Sequence, residues 1–207
     1  MDLPHVFDES DQFAEELLRV IDLPLIDDSP RVRISEVACS LSLEHWHSVR
    51  ANLRAALLPS ALVVHRAQFE ALVRSIWLVY VASDDHVSRL TVTLDQESEY
   101  AAKNMPQIAE MLNGLSKAAP PQAYDAISRF KENSWRALNS YAHAGIHPLR
   151  RHQDAYPVPL IHSVLCNTNG LAVISCMQAV VLSGEQPLQR AVLDIAGKHN
   201  GCMPPPL

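Results

Sequence analysis

The sequence predicts an all-α fold, a single-domain helical bundle, on three observations. Glycine is scarce, at 6 of 207 residues. Apolar residues recur three and four apart through long windows, the periodicity of a helix face rather than of a strand. Prolines and short polar runs cut the chain into segments of helix length. The length fits one domain at about 100–200 residues per domain. The hydrophobic share of 48% is too high for a disordered chain and ample for a core.

The elements follow in order. Residues 1–30 read as an N-terminal helix and linker: Phe13, Leu17, Val20 and Ile21 share one face behind the candidate caps Asp8 and Ser10, and Pro24 ends the run. The bundle core is expected over 31–199. A long helix from Pro30 to the Pro59–Ser60 break carries Ile34, Ala38, Leu41, His45, Val49, Leu53 and Leu57 on one stripe. Residues 60–83 are apolar on nearly every side, which predicts a central helix. The charges His65, Arg66, Glu70 and Arg74 make that helix a poor membrane span. Residues 87–93 read as a helix end with a loop, and residues 95–104 and 105–117 as two helices interrupted near Pro106. A helix from Pro120–Pro121 to His143 follows, with Gly145 suited to a left-handed C-terminal cap. A loop is expected over 148–159, then a long apolar helix over 159–183 closed by Gly184, a short helix over 187–198, and a disordered Pro-rich tail over 200–207.

Charge and cysteine usage narrow the function classes. Seventeen Lys and Arg against 23 Asp and Glu give −6, which does not predict a broad grip on nucleic acid, although a local basic patch is compatible with it. The opening residues lack the basic and apolar regions of a secretory signal, so a cytoplasmic location is expected, with no membrane association. Cys39, Cys166, Cys176 and Cys202 show no Cys-x-x-Cys spacing, which suggests neither a zinc site nor a disulfide framework; the first three read as small core residues. No nucleophile elbow, Walker loop or dinucleotide glycine pattern is present, and no cofactor is implied.

The chemistry-bearing feature is a polar stripe. At about 100° per residue, Arg136, Asn139, Ser140 and His143 fall on one side of their helix, while Trp135, Leu138 and Ala142 fall on another. Arginine binds phosphate through a fork of donors, and histidine moves protons near neutral pH, a pairing suited to a phosphodiester. The alternatives are plain. His143 could interact with the last carbonyls of its helix, and Arg136 could pair with Glu132 four residues earlier. Arg66, Glu70 and Arg74 form an i, i+4, i+8 ladder; Glu70 could instead orient Arg136 or His143. Arg150, Arg151 and His152 form the compact basic cluster near the stripe, open to an RNA backbone or to solvent. The histidines match no metal-ligand spacing, so no metal site is expected.

These residues carry a resemblance. Arg136 and His143, with six residues between them, match the Arg-x4-6-His signature of the HEPN superfamily, and residues 65–80 with 138–152 resemble uncharacterised bacterial proteins placed near it. The resemblance implies a HEPN-like bundle acting as a metal-independent endoribonuclease of a toxin–antitoxin or phage-defence system. It implies a homodimer with a composite site, RNA as substrate and an antitoxin protein as a possible partner. Arg136 would stabilise the phosphate and His143 would assist attack by the RNA 2′-OH, with Asn139, Ser140 and Glu70 in support and His147, Arg150 and Arg151 as RNA contacts. The alternative is a non-catalytic HEPN-like module that binds nucleic acid or protein.

Overall fold

The computed structural model describes residues 2–205, and for 101 and 102 the backbone only. Among the described residues there are ten α-helices and no strand. They are α1 (Leu3–Val20), α2 (Pro30–Arg54), α3 (Leu58–Tyr80), α4 (Asp84–Thr91), α5 (Gln96–Ala101), α6 (Ile108–Ala118), α7 (Pro121–Ala142), α8 (Ile146–Asp154), α9 (Val158–Ser183) and α10 (Leu188–Lys198). Helix α1 starts a turn and more earlier than its apolar face predicts. Asp2 is its cap, accepting from the His5 N–H, and Ser10 is a fully buried mid-helix residue rather than a cap.

Helices α2, α3 and α9 form the centre. Helix α3 runs antiparallel to α2 and parallel to α9, as the pairs Ser35–Ser75 and Ser42–Gln68, then Gln68–Thr168 and Ser75–Gln178, show. The α2 stripe read from the sequence is displaced. Ala38, Val49 and Leu53 are buried, but Leu41 and Leu57 are 43% and 54% exposed. The inward face instead carries Ser35, Cys39, Ser42, Trp46 and Arg50. Small side chains let three helices approach closely, and their hydroxyls bond to facing carbonyls, which removes the cost of burying them. Ser35 Oγ donates to the Ser75 carbonyl at 2.9 Å and Ser75 Oγ donates back to the Ser35 carbonyl at 2.8 Å.

Helix α9 is long and apolar enough to cross a membrane by length and composition. In the bundle its polar positions face inward: Thr168, Asn169, Ser175 and Gln178 are buried and bonded to α1, α2 and α3. Asn169 is the hub at the α1 end. It accepts from Trp46 Nε1 at 2.8 Å and donates to Ser10 Oγ and to the Cys202 carbonyl, both at 3.0 Å. Arg50, 8% exposed, bonds Ser10 and pairs with Asp11, so burial and charge pairing pull its ionisation in opposite directions.

Cys39, Cys166, Cys176 and Cys202 are all buried thiols, and burial pushes those of Cys39 and Cys202 up to about 12, where the reactive thiolate is not populated near neutral pH. The tail departs from the disordered segment expected. Asn200–Cys202 form a 3-10 turn, Cys202 is fully buried, and Pro204 packs against Gly170, so the peptide lies along α9; residues 206 and 207 lie outside the described residues.

Candidate functional site: the α7–α8 elbow

Helix α7 packs on α3 through aromatic contacts. Phe130 lies 4.8 Å from Phe69 and 5.1 Å from His65 between ring centroids, and the Arg66 guanidinium sits 5.0 Å from the Trp135 centroid. Ile127, Leu138 and Tyr141 are its buried residues. The opposite side faces solvent, and on it Arg136 and His143 are both exposed. Seven residues at about 1.5 Å of rise each put roughly 10 Å between their Cα atoms along the axis. Among the described residues Arg136 makes no ion pair, and Glu132 is engaged by Ser128 Oγ instead.

Asn139 and Ser140 are half-buried, and the Ser140 side chain holds the following turn rather than extending the exposed pair. The Asn139 carbonyl accepts from the His143 N–H at 3.1 Å, closing the helix, while its side-chain Oδ1 is buried without a partner. Ser140 binds the following turn twice: its carbonyl accepts from the Gly145 N–H at 2.7 Å and its Oγ accepts from the His147 N–H at 3.1 Å. Gly145 is therefore required, but not as the left-handed cap expected from the sequence. Its φ is −74°, and a Cβ there would lie 2.5 Å from Ser140 Oγ. The left-handed residue is its neighbour Ala144, at φ 50°.

Helix α8 replaces most of the loop expected over 148–159. Pro148 is the third residue of the helix, inside the first turn, where the missing N–H has no intrahelical acceptor to lose. The helix buries no residue, and Ile146 and Leu149 are 69% and 64% exposed. Arg150 pairs with Asp154 at 3.0 Å and Arg151 is exposed. Between Arg136 and Asp154 stand three arginines against one carboxylate, a formal +2 inside a chain of −6, with His143, His147 and His152 beside them.

Glu70 belongs to the α3 ladder. Its Oε1 pairs with Arg66 at 2.9 Å, and it bonds neither Arg136 nor His143. Among the described residues no group of three His, Cys, Asp or Glu is placed to hold a metal ion. Gln153 and Asp154 join the elbow through Arg150, and the i, i+4 spacing of Arg150 and Asp154 is the sequence signal for that pair.

A family model described as a family of unknown function, DUF6988, matches residues 39–205. The chain belongs to that family. The matched span takes in α3 through α10 and the elbow whole, and leaves out α1 and the first turns of α2. Comparison with curated proteins and with solved structures returns no match.

Proposed function

We propose that the elbow binds RNA and cleaves it as a HEPN-like, metal-independent endoribonuclease. The observation that carries this reading is the exposure of Arg136 and His143 on one solvent face of α7, continued by the exposed arginines of α8 in a stretch of formal charge +2 within an acidic chain. Arg136 offers a fork of donors to a non-bridging phosphate oxygen. His143 takes the proton of the 2′-OH as that oxygen bonds to phosphorus. The 5′ oxygen leaves with a proton, giving a cyclic phosphate and a 5′-hydroxyl with no water consumed. A composite site across a homodimer, an antitoxin partner and a cytoplasmic role in toxin–antitoxin or phage-defence systems belong to the same proposal.

One observation favours a second reading, a non-catalytic RNA- or protein-binding module: the Ser140 side chain binds the turn into α8 and leaves Arg136 and His143 as an open surface pair. Incubating RNA with wild type, Arg136→Ala and His143→Ala in chelator separates the two. Cleavage by wild type with a loss of at least ~100-fold in either variant, the scale of one general acid–base group, supports the nuclease. No cleavage by any of the three, with RNA still bound by wild type, leaves the binding module.

A further inference from the structure

Helix α8 carries a shallow depression of about 330 Å³ on one flank, lined by Ile146, His147, Arg150, Arg151 and Asp154. It lies between two ridges of side chains four residues apart, Ile146–Arg150–Asp154 and His147–Arg151. It is open to solvent and formed by one helix alone, so it offers a ligand one face rather than enclosing it. Two features bear on what it takes. The Arg150 guanidinium contacts Asp154 at 3.0 Å and Gln153 at 3.4 Å on the exposed face of the helix, which orients its plane while leaving it open to a ligand. Both junctions of α8 are alanines at positive φ, Ala144 at φ 50° and Ala155 at φ 71°, so strained backbone sets the helix off from its neighbours in the chain at each end.

The geometry points to a subsite for one unpaired purine of a single-stranded RNA, stacked on the Arg150 plane with its amine or N–H edge toward Asp154. Asp154 uses Oδ2 for Arg150, which leaves Oδ1 to accept from the base. Stacking on a guanidinium favours the larger π-face of a purine, and the apolar Ile146 gives the base a surface to leave water for. The depression adjoins the stripe, because the His147 N–H that opens it is the one bonded to Ser140 Oγ. A base held there sets the strand's register beside His143. This inference rests on the RNA-binding part of the function proposed above and adds the kind of RNA.

The test is binding of short, uncleavable 2′-O-methyl oligomers of adenosine and of uridine to the full chain, followed by fluorescence anisotropy. Wild type is expected to favour the adenosine oligomer by about tenfold, within the range one base-stacking contact supplies. Arg150→Lys keeps the charge and loses the plane, so it is expected to abolish the preference, with the adenosine oligomer losing about tenfold more affinity than the uridine one. Asp154→Asn is expected to lower the preference in part. Equal binding of the two oligomers, no binding of either, or a preference that survives Arg150→Lys overturns the assignment. Adenosine monophosphate binding as tightly as the oligomer overturns it too, by making the groove a free-nucleotide site. Purine preference without RNA cleavage leaves the subsite standing and removes the nuclease, whereas cleavage without purine preference does the reverse.

Discussion

Helices α8 and α9 follow one another in the chain and are held in place by opposite means. Helix α9 is enclosed by α1, α2, α3, α7 and α10, and its inward polar side chains are bonded to partners far away in sequence. Helix α8 buries nothing and is tied to α7 by a few bonds at one serine. Stability therefore resides in the first and exposed, basic chemistry in the second. Local opening free energies span from near zero up to the global value, and α8 belongs at the low end.

The comparison breaks first at Trp46. This side chain is fully buried and its indole N–H is bonded to Asn169. Trp46→Ala is expected to cost about 3–5 kcal/mol in urea unfolding, from lost contacts, a cavity and an orphaned amide. A loss below about 1 kcal/mol would mean that the centre is not what holds the fold.

The next effect is a pH dependence from the same core. His65 is 2% exposed, with Nδ1 3.0 Å from Gln68 Oε1 and Nε2 lacking a partner. Burial pushes its pKa down from 6.5 to about 4, against a smaller opposing effect of the Gln68 contact. The folded state thus resists a proton that the unfolded chain accepts. Stability from this site is whole above pH 6.5 and drains away as pH falls toward 4, by roughly 3 kcal/mol in all. Urea midpoints of wild type and His65→Leu across that window should converge with falling pH, since the leucine variant lacks this loss. Parallel curves would count against a buried neutral imidazole.

The smallest global effect is expected at the elbow. Gly145→Ala places a methyl 2.5 Å from Ser140 Oγ, and relief requires the serine to turn away from the His147 N–H. Because α8 can open alone, the global urea midpoint should move by under about 1 kcal/mol, while α8 amides exchange with solvent at least ~10-fold faster. If the whole fold instead loses several kcal/mol, α8 is part of the cooperative unit and the contrast with α9 disappears.

Much of this architecture is legible in the sequence, because helix formation answers to local cues. The run from Pro121 reads as a helix reaching the stripe and stops one residue short of His143, and the long apolar run before Gly184 ends where that glycine adopts φ 77°. The stripe's geometry follows from the same periodicity, which puts Arg136 and His143 together on the solvent side. Helix α8 was not legible: Pro148 and a polar, uncapped sequence read as loop, and the bonds that start the helix come from Ser140 in the element before it.

The sequence by itself determined the helices other than α8, their order and the shared face of the candidate catalytic pair, since these depend on residues three and four apart. Only the tertiary structure decided which polar side chains go inside. Ser35, Ser42 and Asn169 are buried because facing helices supply their partners; Ser10 and Asn169 meet across 159 residues. It also decided the division of labour along the stripe. Ser140 leaves the exposed pair for the elbow because Gly145 lets the chain fold back close enough to take both its oxygens.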